Sequence, residues 1–179
     1  MGASTAQEMR ATYRQAMSRF TTGVTIITTR TPDGPAGMTA SAVASLSLDP
    51  LMLLVCVGNT LATREAISGS GVFAVSVLAQ GQDRTALRFA SRCEDKFAGV
   101  GLRNELDLPV IEGAVAHFSC TVEQELAGGD HTIFIGEVVS CGYSAGSDPL
   151  VYFGGKFGSL CDLDSHARLA YDWQLSASL

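Results

Sequence analysis

The chain has 179 residues, of which 46% are hydrophobic and 17% charged, with a formal net charge of −6. That length suits one domain, residues 1–179, with a core that needs no staples, and the acidic balance excludes nucleic acid, whose affinity rests on Lys and Arg meeting phosphates. So thin a charged surface implies that part of the exterior is covered, most simply by a second copy of the chain.

The first predicted element is a helix over 5–20. Thr5-Ala6-Gln7-Glu8 has the spacing of a capping box, and Met9, Tyr13, Ala16, Met17 and Phe20 recur on one helical face until Gly23 stops it. The β-branched run 24–29 predicts a strand, Pro32-Asp33-Gly34-Pro35 a turn, and Gly37-Met38-Thr39-Ala40-Ser41 an extended, antiparallel return. Asp49-Pro50 breaks the chain before a continuous apolar run, 51–57, which predicts a strand buried on both faces. A short helix follows over 60–68, ended by Gly69, then a strand over 72–78 and a helix over 82–89. Residues 91–112 read as irregular. Segments 114–126 and 131–141 predict a long hairpin turning at Gly128-Gly129-Asp130. A last strand covers 150–157, and the tail 161–179 holds a short helix near 165–173.

Strands dominate and no βαβ alternation appears, so the predicted fold is mainly β: a closed or nearly closed antiparallel barrel with short peripheral helices. The five cysteines, at 56, 93, 120, 141 and 161, include no CxxC pair, which is a reduced, cytosolic pattern. The amino terminus lacks the apolar core of a secretory signal, and no apolar run reaches membrane-spanning length. A soluble, cytoplasmic protein without membrane contact is expected.

Several nucleotide and catalytic motifs are absent or out of context. Gly99-Val100-Gly101-Leu102-Arg103-Asn104 lacks the third glycine of a dinucleotide fingerprint and follows no strand, and no GxxxxGK[ST] occurs. Gly142-Tyr143-Ser144-Ala145-Gly146 matches the GxSxG of hydrolases, but that elbow must turn directly into a helix. Here Ser147-Asp148-Pro149 leads to another strand, and Asp162 and His166 do not follow a plausible order as partners. Strand alternation puts His117 and Cys120 on opposite faces, and His131 and His166 stand apart, so separate packing histidines are expected and no metal site.

Other segments carry chemistry that a bland explanation matches. Gly37 to Ser41 with Ser45-Leu46-Ser47 brings small side chains and hydroxyls together, as a flat ligand on backbone N–H groups requires; an ordinary Ser/Thr-rich loop looks the same. Asn59-Thr60-Leu61-Ala62-Thr63-Arg64 opens a helix whose amino terminus suits a phosphate or a plain cap. Arg88, Arg92 and Lys96 concentrate positive charge, or form a solvated face. Gly129-Asp130-His131 occupies a hairpin tip, where functional side chains often sit.

In order along the chain, Phe20-Thr21-Thr22-Gly23-Val24-Thr25, Gly37-Met38-Thr39-Ala40-Ser41, Ser45-Leu46-Ser47-Leu48-Asp49-Pro50, Phe73-Ala74-Val75-Ser76-Val77-Leu78, Lys96-Phe97, Gly129-Asp130-His131 with Gly136, and Pro149-Leu150-Val151-Tyr152-Phe153 resemble one family. It is the short-chain flavin reductases, the reductase components of two-component flavin-dependent monooxygenases, and the resemblance spans about residues 13–160.

That resemblance implies a split, Greek-key β-barrel, a homodimer, and flavin bound near the subunit interface. It implies that Thr39, Ser41 and Ala42, with nearby Gly37, Met38, Ala40 and Ser45, line the isoalloxazine ring. Cys56, Val57, Asn59, Ala62 and Thr63 would follow the ribityl chain and phosphate, and Arg88 and Phe89 would hold the phosphate or nucleotide end. His131 and Phe153, Gly154, Gly155 and Lys156 match the nicotinamide side, with His131 orienting the nicotinamide or its carboxamide. The sequence departs from the family pattern at Ser76 (commonly Asn), a structural difference, and on the nicotinamide side at Gly154 (commonly Arg) and Phe157 (commonly Tyr), which leaves NADH against NADPH open. The implied activity is hydride transfer from NADH to free flavin, FAD ahead of FMN, with reduced flavin passing to a separate monooxygenase. The competing readings are a non-enzymatic flavin-binding protein on the same barrel and a hydrolase using Ser144.

Overall fold

A computed structural model describes residues 5–160. The helix predicted near 165–173, with Asp162 and His166, lies outside the described residues. Helix α1 (Ala6–Met17) forms where the capping box predicts. The Glu8 N–H donates to Thr5 Oγ1 at 3.2 Å, and the Thr5 N–H donates to Glu8 Oε2 at 2.8 Å, satisfying donors that a helix start otherwise leaves unpaired. It ends at Ser18, five residues before Gly23. Its apolar face is not packed into a core: no α1 residue is buried, and Met9 and Tyr13 are 60% and 64% exposed.

After β1 (Thr22–Gly23), strands β2 (Thr25–Thr31) and β3 (Gly34–Ala40) form the predicted hairpin. β4 (Val43–Leu48) has no counterpart among the predicted elements; it pairs with β5 (Leu51–Gly58) across a two-residue turn whose Asp49–Pro50 peptide is cis. β5 is not buried on both faces. Its side chains alternate, with Leu53, Val55 and Val57 in the core and Met52, Leu54 and Cys56 half-buried outside. Continuous apolarity here serves two different faces, one the barrel core and the other the outer wall. Helix α2 (Ala62–Ser70) runs past Gly69 and stops at Gly71, whose φ of +68° is the left-handed cap that glycine adopts freely. β6 (Val72–Val77) and helix α3 (Asp83–Ala90) follow as predicted. The irregular stretch contains a further hairpin, β7 (Leu102–Glu105) and β8 (Leu108–Ile111). β9 (Ala116–Gly128) and β10 (His131–Tyr143) are the long hairpin. The last predicted strand is instead two, β11 (Val151–Phe153) and β12 (Lys156–Gly158), folded about Gly154-Gly155.

The main sheet has seven antiparallel strands in the order β3-β2-β6-β9-β10-β5-β4. Laid flat, its edge strands would lie about 29 Å apart, six spacings of ~4.8 Å. Yet β3 and β4 are joined by only Ser41 and Ala42, and three peptide units reach about 10 Å at most. The sheet must therefore curl until its edges nearly meet. One cluster fills the interior and draws on both halves of the sheet: Ile27, Val55, Val57, Phe73, Val75 and Phe134 are all fully buried. Gly136 sits beside a bulge in β10 where the Phe73 ring lies on the strand; a Cβ there would come within 2.6 Å of Phe73 Cζ. This is the mainly β, antiparallel fold expected, with α2 and α3 outside the sheet.

Candidate functional site

The hairpin tip carries the central residue. Gly128 and His131 pair across the two-residue turn Gly129-Asp130, with Gly129 at φ +72°. His131 pairs on its other side with Gly58 at the end of β5. The His131 Nδ1–H donates to the Asp130 carboxylate at 2.7 Å, since a carboxylate only accepts. Hydrogen bonding to His131 and its charge, with a contribution from Arg10, hold the Asp130 carboxyl below its usual range. The tip is tied down from α2's side as well. Asn59 N–H donates to Asp130 O at 3.0 Å, Thr132 Oγ1 donates to Asn59 Oδ1 at 2.8 Å, and Arg64 Nε donates to Thr132 Oγ1 at 3.2 Å.

A groove of about 800 Å³ lies between this tip and α1, within the ~300–1,000 Å³ usual for small-molecule sites. Its floor is the outer face of the barrel at Ala42, Cys56 and Ile133, where Cys56 and Ile133 are directly paired and Cys56 N–H donates to Ala42 O at 3.0 Å. His131 and Asp130 close one end, and Met9, Arg10, Tyr13 and Arg14 form the facing wall. Of the residues singled out in the sequence, Ala42, Cys56 and His131 meet here.

The others fall elsewhere or serve the fold. The Gly37 position is small for the protein's own sake: a Cβ there would lie 2.9 Å from Phe89 and 3.1 Å from Phe97. Phe89 is buried and meets Phe97 edge-on at 4.9 Å. Met38 and Ala40 belong to the core, and Thr39 Oγ1 donates to Ala86 O at 2.6 Å. Arg88 is occupied holding its loop, donating to Lys96 O and Asp95 O at 3.0 and 2.9 Å. Lys96 bonds Phe89 O and Gly37 O, and burial lowers its ammonium pKa. Ser41 is exposed at the seam between β3 and β4. Ser45 lines a separate apolar pocket of about 230 Å³ with Leu53, Phe118, Val138 and Cys141. Val57 is core; Asn59 is spent on the hairpin tip.

Ala62 and Thr63 open α2, whose start has no side-chain cap, so its first N–H groups remain available to an anion. Phe153, Gly154, Gly155 and Lys156 form an exposed turn with φ of +59° and +81° at the glycines. That turn is linked to the groove through α1: Gly154 N–H donates to Ser18 O at 2.8 Å, and Arg19 stands 5.9 Å over the Phe153 ring. Ser18 follows the groove residue Arg14 by one helical turn, ~6 Å.

The residues without a sequence signal are those of α1. Met9 and Tyr13 have core-like spacing, and only their exposure in three dimensions shows them to be wall. His117 is not an isolated packing histidine. Arg103 donates to its Nδ1 at 2.6 Å and its Nε2–H donates to Glu105 at 2.8 Å, while Ser140 also bonds Glu105. Among the described residues, the side chain of Ser144, the hydrolase candidate, meets Ser147 Oγ at 3.4 Å and no other hydrogen-bond partner. The four described cysteines are free, and among the described residues no helix is long and apolar enough to cross a membrane.

A family model described as flavin reductase like domain matches residues 17–160. The reductase subunit HsaB of a flavin-dependent monooxygenase from Rhodococcus jostii is 39% identical over 146 residues, covering 81% of this chain and 75% of that protein. The NADH-dependent FMN reductase SmoA of Agrobacterium fabrum is 40% identical over 152 residues, covering 84% and 86%. Among solved structures, the NADH:FAD oxidoreductase SgcE6 of Streptomyces globisporus, in complex with NAD and FAD fragments, superposes with a TM-score of 0.84 at 35% identity, covering 91% of this chain and 100% of that one.

Proposed function

Because the chain belongs to the flavin reductase like domain family, we propose that it is an NADH-dependent flavin reductase that supplies reduced flavin to a separate monooxygenase. The observation that carries this reading is the groove in which Ala42, Cys56 and His131 meet α1. When bound, a reduced nicotinamide supplies a hydride that a flavin ring accepts. That chemistry asks the protein for orientation and backbone hydrogen bonds, and for no side-chain acid or base.

The residues present fit the task. With Nδ1–H committed to Asp130, His131 keeps Nε2 for a hydrogen bond with a carboxamide, which can both donate and accept. The Ser41-Ala42 seam offers small side chains and backbone at the groove floor. The uncapped start of α2, at Ala62 and Thr63, suits the flavin's phosphate. FAD is our preferred flavin and NADH our preferred donor; relatives named for both FAD and FMN support the class. A homodimer accounts for apolar side chains left outside away from the groove, among them Leu46, Leu48 and Leu51. Free thiols and use of NADH point to the cytoplasm.

Steady-state oxidation of NADH with FAD, FMN and riboflavin in turn tests the reading. Turnover that depends on added flavin is expected. Flavin binding without NADH oxidation would instead select a carrier, and light scattering reads the dimer.

A further inference from the structure

α1 precedes nearly all of the matched segment 17–160, yet it supplies one whole wall of the groove. Arg10 and Arg14 lie one turn apart on that wall, with Tyr13 between them. Among the described residues neither guanidinium forms an ion pair; Arg10 is drawn to Asp130 only at longer range. Asp130 is the carboxylate of the groove, and it is already engaged by His131. Two uncommitted cations on a 12-residue helix are notable in a chain of net charge −6, whose overall field repels anions. Tyr13, 64% exposed beside them, offers a flat apolar face.

We infer that Arg10, Tyr13 and Arg14 form a recognition site for an adenosine diphosphate group, the half that FAD and NADH share. The guanidinium groups take the diphosphate, for which planar paired donors are suited, and the Tyr13 ring stacks on adenine. The inference rests on the reductase reading for its choice of ligands, and the arms below separate the two sources.

The test compares the wild type with the R10Q/R14Q double variant. Calorimetric titration with adenosine diphosphate comes first, because it needs no turnover. Affinity in the wild type that falls about tenfold in the double variant is expected, each arginine acting as a charge-assisted donor. KM ratios then identify the source. A rise in the FAD-to-riboflavin ratio assigns the site to flavin. A rise in the ratio of NADH to the phosphate-free donor 1-benzyl-1,4-dihydronicotinamide assigns it to nicotinamide. No binding of adenosine diphosphate by the wild type, or equal affinity in both proteins, overturns the inference. Absence of NADH oxidation by the wild type with any flavin overturns the reductase reading alone. Tyr13→Leu should weaken adenosine diphosphate and leave inorganic diphosphate unaffected; equal weakening of both removes the stacking role.

Discussion

Nδ1 of His131 and the carboxylate of Asp130, its neighbour in the chain, are joined by a 2.7 Å hydrogen bond at the very tip of the longest hairpin. Adjacent residues in regular strand point to opposite faces; the turn conformation lets these two meet. Asp130→Ala should lower kcat/KM for NADH about tenfold, by releasing the ring. His131→Ala should cost at least as much, and the double variant no more than His131→Ala alone, because the two act as one unit. Additive losses would show that Asp130 acts on the substrate directly.

The same pair sets a pH expectation. Asp130 has a lowered carboxyl pKa, so its favourable interaction is present above the ordinary value of 3.8 and is lost only as pH falls through the lower folded value. Any loss of kcat/KM that Asp130 causes on titrating should therefore appear only below pH 3.8 and be absent in Asp130→Asn. A loss above pH 3.8 that disappears in Asp130→Asn would contradict this.

Gly37 and Ala42 should respond in opposite ways. A Cβ at Gly37 meets two aromatic rings and the Ile27 carbonyl, at 2.9, 3.1 and 3.0 Å, so Gly37→Ala should destabilise by about 1–3 kcal/mol in urea unfolding. Ala42 is exposed on the groove floor. Ala42→Phe should leave the unfolding midpoint near that of the wild type while weakening flavin affinity about tenfold or more, through lost space. Equal effects of both substitutions on binding would place the ring against Gly37.

The His117 cluster should matter to stability and not to turnover. It pins β7 to β9 and β10 through Arg103, Glu105 and Ser140, and Gly142 makes room for the imidazole. His117→Ala removes two partners from a largely buried position. A loss of about 2 kcal/mol is expected, with KM for flavin and NADH unchanged in the folded enzyme.

The turn between β7 and β8 offers the reverse case. Leu106 and Asp107 both have positive φ, 52° and 61°, a two-residue hairpin geometry that Asn-Gly adopts with least strain. Replacing the pair by Asn-Gly should raise Tm by about 2–4 °C, even though it removes the exposed 3.1 Å ion pair between Arg30 and Asp107, because such pairs contribute little.

Much of the fold was legible because local signals and tertiary packing agree. The Thr5 capping box, the Gly129-Asp130 turn and the β-branched run of β2 appear where local chemistry puts them. β4 escaped because its sequence, Val43-Ala44-Ser45-Leu46-Ser47-Leu48, is stabilised by pairing with β5 and includes a bulge that disturbs alternation. Of the groove's lining, His131 was legible because its turn is local, while Ala42 and Cys56 were legible only through the family resemblance. At Gly37 and Thr39 the sequence does not separate a ligand wall from packing; in the structure Gly37 packs against Phe89 and Phe97, and Thr39 bonds Ala86. Met9 and Tyr13 were opaque for another reason, since apolar spacing on a helix is the same whether that face meets a core or lines a cleft.

Ser41 and Ala42 do more than connect two strands. A circular permutant opened between them would free the two edge strands of the curled sheet from the short link that holds them near each other. The same cut would fall beside the floor of the groove. Its expected behaviour is therefore a protein that keeps its far-UV spectrum yet breathes at the seam, with amide exchange quickened first in β3 and β4. The groove floor and the edge of the sheet would be loosened at one and the same point of the chain.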